Sequence, residues 1–495
     1  MVEKTTYNTL PIERGKMRYK FKHKPYEHQL EALNKSWDKE YYALFMDMGT
    51  GKSKVLIDNI AMLYDKGEID SALIIAPKGV YRNWERKELP THIPDHVKTK
   101  IVVWSPEKTQ KKEKELKSLF YPTDDLKIFL MNVEALSSKR GVEMADKFLL
   151  CHRAMFAVDE STTIKSRTAR RTKSIIKLGK QAPYRRILTG SPVTKSPLDL
   201  FTQCEFLEDE ILGHSSFWTF QVRYAKMVRK TMGAHSFNHV VGYQNLDELN
   251  ELIRNFSFRV RKEECLDLPD KIYTKRLVEL TVEQRQLYEQ IRRNALAVIE
   301  GEGIIAAPTV LTQLLRLQQV CSGFAKLEEG KIINVKSNKL NELMNALEEI
   351  DGKVIIWANF TNDLINIKKA LNDSYGEETA ELFYGDTPAN ERQLIVERFQ
   401  DPNNPLRFFV GQPRTGGYGL TLTEARTVIY FSNGYDLEIR LQSEDRAHRI
   451  GQVNKVTYID IVTEKTVDEK ILKALRNKID ISSRVLAEGY KEWII

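Results

Sequence analysis

Three short stretches bring together side chains whose types and spacing could do chemistry jointly. In YYALFMDMGTGKSKVLIDNIAML an apolar run meets the loop Gly49, Thr50, Gly51, Lys52 and Ser53, and a helical pattern follows with Val55, Leu56, Ile60 and Leu63 on one face. Glycines let a backbone fold around a phosphate, so that amide N–H groups and a helix N-terminus point at the anion. In such a loop Lys52 reaches the β and γ phosphates of a nucleotide and the Ser53 hydroxyl ligates Mg²⁺. Met46 stands where the general phosphate-loop pattern has its first glycine, which leaves a bare glycine-lysine turn as the alternative; the strand and helix flanks favour the phosphate loop.

In AMFAVDESTTIK the run Met155 to Val158 ends in Asp159 and Glu160. Adjacent carboxylates past a strand can divide the labour, Asp159 binding magnesium through water and Glu160 polarising an attacking water. Taken alone, an acidic pair there is usually a helix cap or a solvated corner. In QSEDRAHRIGQ, Gln442, Arg446 and Arg449 sit at spacings of four and three, which predicts one helix face carrying both guanidiniums. A basic face is often merely solvated; in a two-lobed ATPase it would neutralise γ-phosphate charge as the lobes close, coupling hydrolysis to motion.

Sheets must carry these groups. The first 200 residues alternate short apolar runs with helical patterns, as a parallel sheet with crossover helices does. The runs are Ala43 to Phe45, Leu73 to Ala76, Ile101 to Trp104, Lys127 to Leu130, Met155 to Val158 and Arg186 to Leu188. From about Leu200 to Gly330 the rhythm stops, and Leu287, Ile291, Ala295 and Ile299 at helical spacing predict a mainly helical insert. Strand signals return at Val354 to Trp357, Leu382 to Tyr384, Phe408 to Val410, Val428 to Phe431 and Val456 to Ile461. The expectation is an α/β fold with a first ATP-binding lobe over 1–200, a helical insert and connector over 201–330, and a second lobe with a C-terminal helical brace over 331–495.

Composition agrees with that size. At about 150 residues per domain, 495 residues hold roughly three domains. With 42% hydrophobic and 29% charged residues, disordered and collagen-like classes are set aside. Cys151, Cys204, Cys265 and Cys321 lie far apart, so neither a zinc ribbon nor a disulfide framework is encoded, and a reducing compartment is expected. The start lacks an apolar leader and no run is long enough to span a membrane. The expected setting is cytoplasmic, in a bacterial or virus-infected cell, with a nuclear one left open.

The net charge of +8 is a weak hint of a polyanion partner. More telling, nine basic residues and no acidic one fall between Ser161 and Arg186: Lys165, Arg167, Arg170, Arg171, Lys173, Lys177, Lys180, Arg185 and Arg186. Such a run is usually a solvated helix. Directly after the acidic pair it suits phosphate binding that reads no bases. Lys78 and Arg82 in APKGVYRNW, with Thr415, Gly416 and Gly417 in RTGGYGL, are further backbone-contact candidates. Trp84 could stack on a base, although packing is the commoner use of a tryptophan. The lysine-rich stretch 98–117 interleaves with Glu107, Glu113 and Glu115 and predicts an exposed, ion-paired helix.

In order along the chain these segments resemble the Swi/Snf family of DNA translocases, in the second superfamily of helicase-like ATPases, with two RecA-like lobes. PYEHQLEAL resembles the family's adenine-reading motif, with Gln29 in the diagnostic place, and DMGTGKS, LIIAPKGVYRNWERK and DESTTIKS resemble its phosphate loop, first nucleic-acid motif and acidic box. LTGSPVTKSPLDLF, KVIIWANFT, RTGGYGLTLTEARTVIYF and QSEDRAHRIGQ resemble the remaining motifs. The resemblance implies nucleotide contacts at Gln29, Gly49, Thr50, Gly51, Lys52, Ser53, Gly419 and Gln442, magnesium at Ser53 and Asp159, and catalysis through Lys52, Glu160, Arg446 and Arg449. It also implies DNA contacts at Lys78, Arg82, Lys165, Arg167, Arg170, Thr415, Gly416 and Gly417. Thr162 and Thr163 depart from a common His-Arg, Thr194 and Lys195 from a Gln-Asn, Thr421 from an Asn and His28 from a Tyr. The first of these departures puts in question the family's usual link from the acidic box to the loop Thr189 to Ser191.

The reading is an ATP-driven translocase on double-stranded DNA that uses ATP and Mg²⁺, acts as a monomer on DNA, needs no membrane and leaves room for a targeting protein. The rivals are a strand-separating DNA or RNA helicase and an ATP-gated clamp; strand separation of a tailed duplex marks the first, and absence of DNA-stimulated turnover the second.

Overall fold

A computed structural model of the chain describes residues 9–12, 17–78, 80–193, 196–232, 235–265, 269–301, 307–326, 331–416, 420–449, 451–473 and 475. The described residues form two compact units, one within 1–229 and 238–267 and the other within 230–237 and 268–479.

The first unit is built on seven parallel strands in the order Ser257–Val260, Tyr41–Met46, Tyr184–Leu188, Ala154–Asp159, Ser71–Ala76, Leu126–Asn132 and Thr99–Val103. Its strands read as continuous apolar runs because helices cover both faces. Side chains alternate between the faces: Phe45, Ile75, Phe129 and Phe156 pack on one side, and Leu44, Ile74, Leu130 and Met155 on the other. The second unit repeats the plan with six parallel strands, Lys271–Val278, Val456–Thr463, Thr427–Tyr430, Val354–Trp357, Phe408–Gly411 and Ala380–Phe383. Every apolar run named from sequence is a strand, and each sheet gains one edge strand more.

Those extra strands come from the stretch expected as one helical insert. The helices Leu200–Leu207 and Phe217–Tyr224 bury Cys204, Phe206, Phe220 and Tyr224 in the first unit's core. Next comes an antiparallel hairpin, Ala225–Met232 with His235–Tyr243, that pairs with neither large sheet. Ser257–Val260 then joins the first sheet and Lys271–Val278 the second. The helices Val282–Gly301 and Ala307–Ser322 belong to the second unit, where Tyr288, Val320 and Cys321 pack with Val467 and Ile471. The two units meet along the chain near residue 267, within the stretch 201–330 expected as insert and connector. Edge strands half exposed to solvent lose the apolar continuity that marks buried ones, which is why Lys271–Val278, with Lys271, Lys275 and Arg276, escapes a hydrophobicity reading. The expected C-terminal brace falls largely on 476–495, outside the described residues. No described helix is long and apolar enough to cross a membrane.

Candidate nucleotide and nucleic-acid site

The strand Tyr41–Met46 delivers the chain to the carboxyl edge of the first sheet, where Gly49 (φ 79°) and Gly51 (φ 91°) take left-handed conformations that turn it into the helix Lys52–Asp65. The left-handed φ at Gly51 strains any residue with a Cβ, and that Cβ would lie 2.2 Å from the Gln29 amide nitrogen. No side chain caps the helix, which leaves its first N–H groups to meet an anion. From the helix Glu27–Ser36, Gln29 donates to the Thr50 carbonyl at 3.0 Å, and the His28 ring lies 2.8 Å from the same oxygen. His28, a departure from the family pattern, thus holds the loop together with Gln29. A cavity of about 1130 Å³ beside them is lined by Tyr26, His28, Arg254, Arg259 and Arg261.

The Lys52 ammonium is buried and donates to the carbonyls of Met46 (2.9 Å) and Asp47 (3.3 Å). Burial pushes its pKa down, against the opposing fields of Glu160 and Asp159. Asp159 ends the strand Ala154–Asp159, and burial raises its carboxyl pKa; Trp84 opposes that rise by donating its indole N–H to Oδ2 at 2.9 Å. Glu160 follows in a left-handed backbone conformation (φ 50°), strained for a residue with a Cβ and typical of a functional turn. The Thr189 hydroxyl reaches Glu160 Oε2 at 3.4 Å and accepts from the Ser191 N–H at 3.1 Å. The acidic box is therefore joined to the glycine-serine loop without the usual His-Arg. A second tie runs through buried Gln203, which accepts from Ser161 at 2.7 Å and donates to the Pro192 carbonyl at 2.9 Å.

Sequence reasoning missed Gln203, and it missed Arg259. From the edge strand, 212 residues after Asp47, Arg259 donates to Asp47 Oδ1 (3.0 Å), the Phe45 carbonyl (3.0 Å) and the Gly190 carbonyl (3.3 Å). Burial would raise the Asp47 carboxyl; Arg259 and the Lys262 N–H (3.1 Å) outweigh it and hold the pKa low. One guanidinium thus ties strand end, phosphate loop and glycine-serine loop together. Only the parallel pairing of Ser257–Val260 with Ala43–Met46 brings it there. Trp84, weighed as a base-stacking residue, is wholly buried, and its Asp159 contact makes it a support of the acidic pair.

The nine-residue basic run divides. Arg186 is buried, donating to the carbonyls of Ser36, Lys39, Glu40 and Arg185 and to Asn59 Oδ1, and burial pulls its pKa down to about 9. Arg185 pairs with Glu208 at 2.8 Å and Lys180 with Asp209 at 2.6 Å, so the run is less uncompensated in space than in sequence. Arg170, Lys173 and Lys177 remain exposed on the helix Arg170–Gly179, which turns Ile175 and Leu178 inward. Arg167 is exposed over the Phe217 ring at 4.8 Å, while Lys165 is half-buried. Lys78 and Arg82 are exposed, Arg82 donating to the Tyr81 hydroxyl at 3.3 Å. The stretch 98–117 is a strand, Thr99–Val103, and a helix, Gln110–Lys117, with Lys112 and Glu115 paired at 2.8 Å.

In the second unit the helix Leu437–Glu444 ends before the arginines, so Arg446 and Arg449 do not share its face as their spacing predicted. They converge nonetheless, both donating to the Leu420 carbonyl, at 3.2 and 2.9 Å. Gln442 is buried; its amide donates to Glu438 at 3.1 Å and its carbonyl oxygen has no partner among the described residues. Beneath them Arg440 pairs with Asp460 (2.5 Å) and Glu444 (2.8 Å), and Glu444 also accepts from Tyr273 at 2.7 Å. Thr415 and Gly416 lie in the turn Pro413–Gly416, where a Cβ on Gly416 would strike Trp357 at 2.4 Å, so packing requires that glycine. Gly417 and Gly419 lie outside the described residues.

Two all-parallel α/β units, the first with a phosphate loop beside an acidic pair and the second with converging arginines, define a helicase-like ATPase with RecA-like lobes. The SNF2-related domain matches residues 28–324 and the helicase conserved C-terminal domain residues 336–451, and the chain belongs to the SNF2-related family. It is 27% identical over 461 residues to a Bacillus subtilis protein named putative ATP-dependent helicase/translocase YwqA, covering 90% of this chain and 46% of that one. It is 25% identical over 518 residues to the Arabidopsis thaliana probable ATP-dependent DNA helicase CHR23, covering 98% and 45%. The chain thus spans less than half the length of these relatives. A solved structure, the Sulfolobus solfataricus SWI2/SNF2 ATPase core in complex with dsDNA, shares 24% identity over 94% of each chain with a TM-score of 0.42.

Proposed function

We propose that the chain is an ATP-driven translocase on double-stranded DNA. The observation that carries this reading is the convergence of Lys52, Asp159 and Glu160 at one sheet edge, with exposed basic side chains following directly from the acidic pair. Gly49, Thr50, Gly51 and Lys52 hold the ATP phosphates, Gln29 and the cavity beside it take the base, and Glu160 polarises the attacking water. The buried Lys52 now bonded to backbone carbonyls can exchange them for phosphate oxygens at little cost, since one set of acceptors replaces another.

The residues fit magnesium in the manner of a phosphate-loop site. Asp159 accepts one N–H on each oxygen, from Trp84 and from the Glu160 backbone (3.0 Å), which leaves further lone pairs for metal-bound water, and the half-buried Ser53 hydroxyl begins the helix. Bound there, magnesium neutralises the charge that develops on the phosphates. Arg446, Arg449, Gln442 and Gly419 are assigned to nucleotide binding. Arg167, Arg170, Lys165, Lys78, Arg82, Thr415, Gly416 and Gly417 are assigned to the DNA backbone.

ATPase rate measured with duplex DNA, single-stranded DNA and RNA, each at two salt concentrations, tests the proposal. Duplex should stimulate most, with salt-dependent affinity, and the protein should displace a third strand while leaving the duplex paired. Separation of a tailed duplex would make it a helicase, and turnover indifferent to DNA would remove the motor altogether.

A further inference from the structure

The hairpin Ala225–Met232 with His235–Tyr243 is a two-stranded ribbon with no large sheet to lie on, and the nucleotide site leaves it without a role. Strands of eight and nine residues at ~3.3 Å per residue make it about 25 Å long. An isolated two-stranded ribbon is marginal by itself. This one is firmly rooted: Tyr224 is buried and donates its hydroxyl to Glu248 at 3.0 Å, the Gln244 N–H donates to the Tyr224 carbonyl at 3.0 Å, and Asn245 donates to the Arg223 carbonyl at 2.9 Å.

From Tyr224 to Leu246 the sequence has no Asp or Glu, while Lys226, Arg229, Lys230, His235 and His239 fall within it. Lys226 and Arg229 are exposed, and a Cβ on Gly242 of the facing strand would lie 3.9 Å from Lys226 Cδ, which places the lysine stem across the ribbon. Val228 and Val241 are also exposed. The helix Phe217–Tyr224 leads into the ribbon and presents Trp218, 55% exposed, over a hollow of about 450 Å³ shared with Val222, Arg223 and Gln244. That same helix carries Phe217, on which Arg167 of the acidic-box segment lies. Basic groups and an aromatic therefore continue from the acidic box, through one helix, onto the ribbon.

We propose that the hairpin, with the Trp218 face at its root, is a second duplex-DNA contact that grips the phosphate backbone through Lys226 and Arg229. The proposal rests on the duplex-DNA reading above. A two-stranded ribbon fits the major groove of B-DNA, and Lys and Arg contacts to phosphate oxygens carry no sequence information, as a translocating protein requires. A protein partner that adds a strand to the ribbon would need no acid-free, cationic sequence.

The test measures binding of a fluorescently labelled duplex over a range of KCl concentrations, on two unrelated sequences. The parent is compared with Lys226→Glu/Arg229→Glu, with Lys226→Gln/Arg229→Gln, and with a control, Lys111→Glu/Lys114→Glu, that makes the same charge change on the exposed helix Gln110–Lys117. At about 0.9 per phosphate contact, both hairpin pairs should flatten the logarithmic salt slope by about 2, equally on the two sequences. The control should keep the parent slope. A parent slope in the folded hairpin variants, or an equal fall in the control, overturns the proposal; should the glutamate pair misfold, the glutamine pair decides. A parent that binds no duplex fails at an earlier step, the duplex-DNA reading itself.

Discussion

Each unit keeps a cluster of buried charge near the carboxyl edge of its sheet, and the two are satisfied in different ways. In the first unit, Lys52 donates to backbone carbonyls, Asp159 accepts two N–H groups, and burial shifts both groups toward their neutral forms. In the second, Arg440 is surrounded by Asp460, Glu444, Asn433 and the Tyr430 ring, and although burial opposes its charge, the carboxylates raise its pKa well above normal. Charges that must change partners during a reaction are held by replaceable neutral groups. Charges that only support the fold are matched by opposite charge.

The largest effect separating the clusters should follow from Glu160→Gln. Loss of the group proposed to polarise water should slow DNA-stimulated ATP hydrolysis by about 10²–10⁴-fold, the range for a general base, with the thermal unfolding midpoint hardly moved. An equal loss of stability would place Glu160 with the supporting charges. Arg440→Met should do the reverse. Removing one member of a buried ion network costs about 3–5 kcal/mol, because buried Asp460 loses its guanidinium partner and Glu444 is left with Lys271 and Tyr273; denaturant unfolding should show the loss, and adding Glu444→Gln with Asp460→Asn should recover much of it.

Between these limits lies Arg259→Gln. The glutamine cannot pair with Asp47 and reach both carbonyls, so the loop loses its tie while the chemical groups remain. A charge-assisted bond is worth about 1.5–3 kcal/mol, so the KM for ATP should rise by about tenfold or more with a smaller change in kcat, and Arg259→Lys should restore part of it. A kcat defect at unchanged KM would mean that Arg259 acts in the chemistry instead of positioning the loop.

Arg259 also marks where sequence stops informing. Both sheets and the residues Gln29, Lys52, Asp159 and Glu160 are readable in the chain because buried parallel strands are continuous apolar runs and phosphate loops need fixed residue types at fixed spacing. Arg186 and Arg167 belong to one basic run, yet one sits under the sheet and the other on the surface; the deciding factor is the group of backbone carbonyls at Ser36, Lys39 and Glu40, which no local pattern announces. Gln203 and Arg259 matter through partners brought near by strand order, and Trp84 through a single N–H aimed at Asp159. The arginine pair shows the converse: the helix predicted to align Arg446 with Arg449 ends early, and the Leu420 carbonyl gathers them instead.

The smallest and sharpest test of the contrast is Trp84→Phe. Phenylalanine fills most of the buried volume but removes the N–H that stabilises ionised Asp159, so the carboxyl pKa, already raised by burial, should rise further. In its proposed role Asp159 holds magnesium through water as the carboxylate, so the acid limb of the kcat/KM profile for ATP should move to higher pH, and the magnesium needed for half-maximal rate should increase. One hydrogen bond of about 1 kcal/mol predicts an effect of about fivefold at the acid side, fading once pH is well above the carboxyl pKa. Stability should show the same linkage with its proper sign: a folded-state carboxyl pKa raised above the unfolded value favours folding at low pH, and that advantage is lost as pH climbs through the folded pKa. The variant should therefore lose more stability than the parent on going from acid to neutral pH. A pH profile that does not move, with stability lowered equally at every pH, would reduce Trp84 to packing and leave the Asp159 carboxylate supported by Lys52 and the Glu160 N–H.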